Sequence, residues 1–300
     1  ICDLMPLRGF NRKILTIGFK KLVIKNKGLK KLVSNNLKKK LSYYDIGFNI
    51  GPLINSSGRI SKANDVVELF LTQNDDKIDA IIDKMNNHND KRKKIEQENL
   101  NLINFKKYYG KNVIFIYNKQ FHEGTIGIIA AKLSQLFNKP CFIVTGSDDL
   151  LKCSIRSGNN IKINKTINRL ISNQLIISGG GHDQAGGFTA KKENLLNIED
   201  FLKKEFENLN TKNYSYFDTC TIFPKKNSTI INDLKSLEPF GKENPEPIFY
   251  FKNIKSIKSK IINNRHIQNI LKNKSGRFIK SLSFDCVNSE LGNYLLNLKK

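Results

Sequence analysis

The sequence predicts an α/β protein of several domains, in which a central domain has a mixed sheet and the C-terminal part is a small β-structure. Three observations lead to this fold class. Residues 113–117, 125–137 and 141–145 follow a strand, helix, strand pattern that is typical of a right-handed crossover between parallel strands. Residues 64–109 place apolar side chains at helical spacing. Beyond residue 247, short strand-like segments broken by Asn, Gly and Lys indicate a small β-barrel.

Composition limits the class of protein further. The chain has 300 residues, of which 39% are hydrophobic, and this is enough for two or three domains. Five cysteines are scattered without a CxxC pair, which argues against a disulfide framework and against a thiolate zinc site. No apolar run reaches the roughly 18 residues of a membrane span, and no signal-peptide pattern follows Ile1. We therefore expect a cytoplasmic protein with no membrane contact, and a chain that is part of a longer protein.

The net charge of +24 leaves two interpretations open. Such a positive field attracts polyanions, and nucleic acid first among them. A genome biased towards A and T would also enrich Lys, Asn and Ile without any selected function. Only eight arginines occur among 51 basic residues. Because Arg makes bidentate phosphate contacts that Lys cannot make, the arginine positions are the most informative.

The N-terminal third combines loops with one long helix. Residues 1–42 mix apolar and basic positions, and the glycine-punctuated segment 43–60 is predicted to be a loop region. The helical pattern of 64–109 contains a stretch, residues 86–99, that is polar almost all round. A helix of that kind often bridges two domains through solvent, so we expect a domain boundary there.

The central and C-terminal parts alternate strands and helices. After the crossover, we predict a strand at 150–155, a helix at 163–171, a glycine-rich loop at 179–187, a strand restarting at 188–190 and a closing helix at 195–206. A linker at 208–217 leads to strands predicted at 247–251, 254–262, 266–271 and 278–284.

Two clusters could bind an anion. Ser154, Arg156 and Ser157 lie at a strand end just before a helix, where a hydroxyl, a guanidinium and helix N-terminal amides favour an anion. Taken alone, an N-cap serine beside a surface arginine explains them better. In the second cluster, Gly179–Gly181 and His182 are followed by two more glycines, so that backbone N–H groups can approach a phosphate closely. Here a binding site is favoured over an ordinary turn.

The remaining candidates are weaker on residue pattern alone. Residues 51–59 combine Gly, Pro, Asn55 and Arg59 between domains, and a structural loop explains them equally well. Asp3, which precedes an apolar pair, is ordinarily a cap or turn residue. His122 and Glu123 are adjacent and therefore unsuited to act on one target, so we expect Glu123 at the entry of the following helix, where the helix dipole favours an acid. Gly124 and Gly127 are expected to allow close helix packing.

Taken in order, these segments resemble the RecJ family of single-stranded-DNA-specific 5′→3′ exonucleases, which are DHH/DHHA1 phosphoesterases. The matching segments are 2–7 (A-D-x-x-P-L in the family), 50–59 (G-P-x-x-N-A-x-G-R), 121–133 (H-x-G-v-x-G-i-x-A-x-x-L), 154–157 (S-x-R-S), 179–187 (G-G-G-H-x-x-A-A-G) and 237–247. Departures include Gly186 in place of the second Ala, and Glu243 where a Gly is usual. The family's D-x-D-x-D-G and D-H-H motifs, which supply most metal ligands, are expected upstream of Ile1.

The resemblance implies a domain organisation and a set of roles. It implies a C-terminal remnant of a DHH domain (1–63), a connecting helix (64–109), a DHHA1 domain (110–207) and a truncated OB-like barrel (213–300). It implies two Mn²⁺ or Mg²⁺ ions with Asp3 as one ligand and catalytic residue. Arg59, Ser154 and Arg156 are then expected to hold the terminal phosphate of single-stranded DNA. His182, as a second catalytic residue, is expected to contact the scissile region together with Gly180 and Gly181. Asn55, Ser157 and His122 complete the expected DNA-binding set.

The resemblance also leaves functional alternatives. The chain is expected to carry the end-binding part of a nuclease of DNA repair and recombination, and a separate N-terminal DHH half is a possible partner. One alternative is a DHH-type phosphodiesterase of short or cyclic oligonucleotides, although such relatives generally lack the barrel. The other is a non-catalytic, single-strand-binding remnant.

Overall fold

The computed structural model describes residues 5–37, 41–158, 161–209, 216–221, 229–287 and 289–297. The chain divides into two compact units. One contains the described residues of Lys21–Asn213, and the other contains those of Asp3–Lys20 and Tyr214–Lys300. In these ranges no helix has both the length and the apolarity that crossing a bilayer requires.

The first unit begins with a layer of helices. Helix α1 (Gly9–Lys20) belongs to the second unit, and the layer consists of α2 (Lys27–Asn36), α3 (Tyr43–Asp45), a π-helical turn (Ile46–Ile50), α4 (Gly51–Ile60), α5 (Asn64–Leu71) and α6 (Asp75–Asn101). Their apolar faces share one core, made of Leu32, Ile50, Leu53, Leu69, Ile78, Ile81, Ile82 and Met85. The end of α4 and the second half of α6 extend from this core towards the sheet that follows.

The predicted loop at 43–60 is wrong, because the structure is helical throughout this segment. Ser42 and Asp45 form a reciprocal capping box that starts the helix. Pro52 lies in the first turn of α4, where its missing N–H is no loss, and the π-helical turn immediately before it accommodates the proline ring. The glycines of this segment therefore do not break the helix, and buried Gly51 serves its packing.

The predicted continuous helix over 64–109 is interrupted. Asn74 begins a new helix because its side chain accepts a hydrogen bond from the Lys77 backbone N–H, and α6 ends at Asn101 before a short 3₁₀ turn at Phe105–Tyr108. The expectation of a solvent-exposed bridge is also wrong for the second half of α6. Glu96 and Asn99 are buried there, since polar side chains on the neighbouring helix satisfy them.

A mixed five-stranded sheet follows, which confirms the predicted fold class. Its strands are β1 (Ile114–Tyr117), β2 (Cys141–Thr145), β3 (Leu150–Arg156), β4 (Ser178–His182) and β5 (Ala185–Lys191), in the spatial order β1-β2-β3-β5-β4. The first two strands are parallel, as the crossover pattern predicts, and α7 (Glu123–Phe137) connects them. All other pairs are antiparallel.

The two faces of this sheet have different coverings. On one face, α7 packs over Ile114, Ile116, Cys141 and Ile143. On the other face, α8 (Ile163–Ser172) and α9 (Leu195–Glu205) cover a larger core that includes Phe142, Leu151, Cys153, Ile155 and Phe188. Helix α7 lies over β2 and β3, and among the described residues no helix packs closely on the β5–β4 part of this face.

The predicted glycine-rich loop at 179–187 is wrong, because these residues form the hairpin β4–β5 with a turn at Asp183 and Gln184. Glycine runs usually indicate loops, but here the missing side chains let the strands approach neighbouring atoms. A Cβ on Gly181 would overlap the Ala185 carbonyl, and a Cβ on Gly187 would lie 2.8 Å from the Cys153 carbonyl oxygen.

The second unit contains the predicted C-terminal strands. They are β6 (Thr219–Thr221) and β7 (Phe249–Phe251), which pair in parallel, and β8 (Lys255–Ile262), β9 (His266–Lys272) and β10 (Phe278–Ser283), which form an antiparallel sheet. Helix α10 (Ile230–Ser236) precedes β7, and α11 (Glu290–Asn297) packs on β8, where Ser259 Oγ donates to the Leu295 carbonyl. The closure of these strands into a barrel stays a prediction.

The motif at 237–247 anchors the start of the chain within the second unit. Leu7 N–H donates to the Lys242 carbonyl at 2.7 Å, and Arg12 Nη2 donates to the Leu237 carbonyl at 2.8 Å. Glu243, which replaces the family's usual Gly, has a left-handed backbone with φ of 61° and pairs with Arg8 at 2.7 Å. The left-handed conformation explains why a Gly is usual at this position.

Candidate phosphate-binding groove

Strand β3 presents three polar side chains to the face of the sheet that α7 partly covers. Leu151, Cys153 and Ile155 are buried on the opposite face. Because successive side chains of a strand point to opposite faces, Lys152, Ser154 and Arg156 share the α7 face. This alternation makes β3 the floor of a polar groove beside the helix.

The strand register extends this polar face across the hairpin in three rows. Arg156 lies opposite Ala185, which lies opposite His182. Ser154, Gly187 and Gly180 form the middle row, and Lys152, Thr189 and Ser178 form the third. Since neighbouring strands are about 4.8 Å apart, the backbones of Arg156 and His182 are separated by about 10 Å and present their side chains to the same face.

The groove is a cavity of about 610 Å³ bounded by three structural elements. Its floor is made by β3, β5 and β4, one wall is the first turn of α7, and the other wall is the end of α4. The polar and glycine residues that line it are Gly58, Arg59, Glu123, Gly124, Gly127, Lys152, Ser154, Arg156, Ser178, Gly179, Gly187 and Thr189. The groove thus brings together residues that are far apart in the sequence.

Two glycines in α7 position the arginines, as the sequence predicts for close helix packing. A Cβ on Gly124 would overlap the Arg59 carbonyl oxygen, so α4 and α7 can meet only because this position is Gly. The Arg59 guanidinium also donates to the Gly124 carbonyl at 3.2 Å. At Gly127, an added Cβ would lie 3.1 Å from Ser154 Oγ and 3.6 Å from Arg156 Nη2, so these two groups meet beside the same turn.

The two arginines form a cation pair without a counterion of its own. Burial lowers the pKa of Arg59, Arg92 lowers it further, and Glu96 partly offsets the effect. Burial and then the charge of Arg59 lower the pKa of Arg156. Among the described residues, no carboxylate lies within ion-pair distance of either guanidinium. An anion in the groove would remove this mutual repulsion.

A partly buried ion network lies next to Arg59. Arg92 Nη1 lies 3.4 Å from Glu96 Oε2, and Lys132 Nζ lies 2.5 Å from Glu96 Oε1. Nearby, Asn99 Nδ2 donates to Thr125 Oγ1 at 3.0 Å, so the polar side of α6 is fastened to α7. The connecting helix therefore fixes the helical layer against the sheet.

The other expected site residues have varied positions. Asn55 is exposed on α4, outside the cavity lining. His122 caps α7 by accepting a hydrogen bond from the Gly124 N–H at 3.1 Å, and Glu123 is the first helical residue, as expected. Ser157 Oγ is 2.6 and 2.7 Å from the carbonyl oxygens of Gly158 and Ile161, so it holds the chain after β3.

The glycine and histidine positions of β4 also differ from one another. Gly180 faces open space, with no atom within 4 Å of an added Cβ. At Gly181, by contrast, an added Cβ would overlap the Ala185 carbonyl oxygen. His182 is exposed at the end of the Arg156 row. Asp3 lies outside the described residues.

Four polar residues that line the cavity were not predicted from the sequence as site residues. They are Glu123, Lys152, Ser178 and Thr189. For Lys152 a signal existed, because the alternation of 150–155 already places it on the face of Ser154 and Arg156. For the others, only the strand register and the packing of α7 identify the position.

The described residues do not form a metal centre. Among them, no group of three or more His, Cys, Asp or Glu side chains is arranged to hold an ion. The chemistry that the groove itself offers is therefore anion binding, by two guanidiniums, hydroxyl groups and an ammonium group.

Comparison with known proteins supports the sequence resemblance. A DHHA1 domain model matches residues 110–208, and a RecJ OB domain model matches residues 218–296. Proteins named single-stranded-DNA-specific exonuclease RecJ are similar over most of the chain, with 27% identity over 97% of it in Bacillus subtilis and 25% over 89% in Salmonella typhimurium. The chain spans 38% and 49% of the length of these two relatives.

Solved structures agree with this relationship at the level of the fold. Crystal structures of RecJ from Thermus thermophilus in complex with Mg²⁺ and with Mn²⁺ superpose with TM-scores of 0.77 and 0.78 at 21% and 20% identity. Each superposition covers 95% of this chain, and 44% and 42% of those proteins. The expected relationship is thus confirmed: the chain matches a DHHA1 domain and a RecJ OB domain, and it is similar to RecJ proteins over most of its length.

Proposed function

We propose that this chain is the end-binding part of a 5′→3′ exonuclease that acts on single-stranded DNA in repair and recombination. The observation on which the proposal rests is the unneutralised pair Arg59 and Arg156, which lines one cavity together with Ser154. The names of the similar proteins favour the same substrate.

A terminal phosphate suits this cation pair better than an internal one. A phosphomonoester carries about −1.5 to −2 charges near neutral pH, whereas an internal phosphodiester carries one. Two guanidiniums that repel each other gain most from the more highly charged group. Ser154 Oγ can donate one further hydrogen bond to a phosphate oxygen. This charge preference gives a physical basis for acting at ends.

The rest of the groove orients the strand. Gly187 and Gly180 leave the β5 and β4 positions of the middle row without side chains, and we assign to this row the passage of the terminal nucleotide. His182, at the end of the Arg156 row, is assigned to the scissile region, with Gly181 supporting the strand pairing beneath it. Asn55, His122 and Ser157 are assigned to the rim, since they lie outside the lining of the cavity.

The open face of the C-terminal sheet offers a second, less specific surface. Register places Lys258, Ile270 and Lys280 in one row and Lys260, Gln268 and Leu282 in another, on the face opposite Ser259, which contacts α11. Lys272 Nζ lies 5.3 Å from the centre of the Phe278 ring on the same face. Cationic and aromatic groups on one sheet favour binding of single strands by charge and stacking.

We place the Mn²⁺ or Mg²⁺ centre outside the described residues. The solved relatives are named as complexes with these ions. The described donor set does not fit such a centre, so this chain's described residues bind and orient the 5′ end but do not activate water. Asp3 is proposed as the one ligand from this chain, and an upstream DHH half as the source of the others.

The proposed division of the chain into domains follows from its similarity to RecJ proteins. We propose a DHH remnant over 1–63, a connecting segment over 64–109, a DHHA1 domain over 110–207 and an OB-like domain over 213–300. A DNA-processing enzyme of this kind acts where the chromosome lies, so a cytoplasmic location is proposed.

The test compares binding of 5′-phosphorylated and 5′-hydroxyl oligothymidylate to the whole chain. We expect the phosphorylated strand to bind roughly tenfold more tightly, since charged hydrogen bonds contribute about 1.5–3 kcal/mol. Arg59→Gln and Arg156→Gln should abolish this preference. Arg169→Gln is the matched control, because Arg169 is exposed on α8 and pairs with Glu205.

Other outcomes would support the alternatives. Equal binding of both strands by the wild-type chain contradicts the end-binding proposal. If a dinucleotide or a cyclic dinucleotide binds as tightly as the phosphorylated strand, a phosphodiesterase of short substrates is favoured instead.

A further inference from the structure

The groove continues along β3 beyond the two arginines and ends in a third polar row. Lys152, Thr189 and Ser178 lie opposite one another on the same face as Ser154 and Arg156, and all three line the same cavity. Along the strand, the backbone of Lys152 is about 13 Å from that of Arg156. The floor thus offers a cationic group at each end and small residues between them.

Among the described residues, Lys152 pairs with one acidic group, which is exposed. Its Nζ lies 2.5 Å from Glu123 Oε1, and the two side chains are 56% and 58% exposed. Such exposed pairs contribute little net free energy, so a competing anion displaces the carboxylate readily. Glu123 lines the same cavity, which places a negative charge beside a groove that is otherwise cationic.

We propose that Lys152, Thr189 and Ser178 form a second phosphate position, for an internucleotide phosphate of the strand whose 5′ end Arg59 and Arg156 bind. Glu123 occupies this position in the free protein and is displaced from Lys152 when the strand enters. The second position therefore distinguishes a strand, which has an internucleotide phosphate, from a mononucleotide, which has none. The inference rests on the proposed function, because the terminal phosphate sets the register of the strand.

The charge arrangement explains how the two positions differ. Arg59 and Arg156 have no carboxylate partner among the described residues, so they accept a terminal phosphate whether it belongs to a mononucleotide or to a strand. Lys152 becomes available only when a ligand replaces Glu123. A mononucleotide fills the first position alone, whereas a longer strand also displaces the carboxylate. The second position therefore discriminates between a mononucleotide and a strand.

The experiment measures binding of two probes to the whole chain over a range of salt concentrations. The probes are thymidine 5′-monophosphate and a 5′-phosphorylated thymidine trinucleotide. Lys152→Gln should weaken trinucleotide binding roughly tenfold and reduce the salt slope by about 0.7, while monophosphate binding changes less than about twofold. Glu123→Gln should strengthen trinucleotide binding about two- to fivefold.

Matched controls come from a second ion pair in the same unit. Lys203 and Glu199 are 3.0 Å apart on α9, which packs on the opposite face of the sheet. Lys203→Gln and Glu199→Gln change the net charge equally but should leave both affinities within about twofold. In a double variant, the gain from Glu123→Gln should shrink once Lys152 is replaced, because the two residues act on each other.

Failure of this inference is distinguishable from failure of the proposed function. If Lys152→Gln leaves trinucleotide binding unchanged while Arg156→Gln abolishes the preference for a 5′-phosphate, the second position does not exist and the first one stands. If Lys152→Gln weakens both probes equally, Lys152 belongs to the first position and the inference is overturned. If Arg156→Gln has no effect on either probe, the proposed function itself fails.

Discussion

At the scale of single residues, two unfavourable arrangements have different explanations: one is a strained backbone, and the other is a pair of like charges. Glu243 adopts a left-handed backbone that a Gly would adopt freely, and its ion pair with largely exposed Arg8 offsets only part of that strain. Arg59 and Arg156 repel each other inside a half-buried groove. The first conflict is structural, and the second is what makes the groove receptive to an anion.

The backbone conflict at Glu243 predicts a stabilising substitution. A non-Gly residue in the left-handed region costs about 1–2 kcal/mol, whereas an exposed ion pair contributes about 0–1 kcal/mol. We therefore expect Glu243→Gly to leave thermal stability unchanged or raise it by up to about 1 kcal/mol. Glu246→Gly, at an exposed position without a positive φ, should lower it. A clear loss of stability in Glu243→Gly would mean that the Arg8 pair dominates.

Replacing one arginine of the cation pair is predicted to preserve or raise the stability of the free chain and to weaken phosphate binding. Lowered pKa values mean that the protonated guanidiniums are less favourable in the folded state than in the unfolded state, across the whole accessible pH range. Arg156→Gln should therefore leave the free chain as stable as wild type or more stable by up to about 1 kcal/mol. It should also remove the stabilisation by inorganic phosphate, measured as a shift of Tm.

The pH dependence of that shift follows from the ligand. The arginines stay protonated, while phosphate gains its second charge near pH 6 to 7. Stabilisation of the wild-type chain by phosphate should thus increase from about pH 5 to 7.5. If Arg156→Gln keeps the full phosphate shift, the pair is not the binding group.

At the scale of elements, the hairpin β4–β5 combines two glycine roles that sequence cannot separate. Gly179 lies against Ile167 and Phe188, while Gly180 faces open space. The sequence alone favours a loop for the whole run, because a glycine run has no side-chain alternation to reveal a strand. Register with β3, which depends on distant residues, decides which glycine serves packing and which leaves room for a ligand.

This division predicts opposite effects for neighbouring substitutions. Gly180→Val adds a side chain in open space on a strand, so we expect thermal stability to stay within about 1 kcal/mol of wild type. The added group obstructs the path that we propose for the terminal nucleotide, so binding of a 5′-phosphorylated strand should fall roughly tenfold or more. Gly179→Val places a Cβ 3.0 Å from Ile167 and Phe188 and should destabilise the fold instead. Equal binding by Gly180→Val would place the strand elsewhere.

The helices and strands of the central sheet are predictable where periodicity is strong, and the exceptions have identifiable causes. The β1–α7–β2 crossover is confirmed from its pattern. Residues 43–60 resemble a loop in sequence although a π-helical turn accommodates Pro52 within a continuous helical segment. For the groove, the alternation along β3 reveals Lys152, but Glu96 and Arg92 become relevant only through the packing of α6 on α7.

At the scale of the whole molecule, the proposed function separates binding of the strand from its hydrolysis. The described residues build an anion groove and a basic sheet face, but they hold no cluster of three metal-ligating side chains. The chain spans less than half of the length of its Bacillus subtilis and Thermus thermophilus relatives. This division of labour gives a direct prediction for the chain in isolation.

We expect the purified chain to bind 5′-phosphorylated single strands but not to hydrolyse them in the presence of Mn²⁺ or Mg²⁺. Two-metal hydrolysis needs a complete set of ligands, and one candidate, Asp3, does not suffice. Adding an upstream polypeptide with the D-x-D-x-D-G and D-H-H motifs should restore release of nucleotides. Degradation by the chain alone, in a preparation free of contaminating nuclease, would contradict this assignment.

The two thiols of the central sheet have a practical consequence. Cys141 lies under α7, and Cys153 lies under α8 and α9, so each thiol is enclosed by a different hydrophobic layer. Burial raises the pKa of both thiols, which keeps them unreactive while their layer is closed. A thiol-labelling time course, with exposed Cys220 as the rapidly modified reference, would therefore follow the transient opening of each layer separately, without any engineered probe.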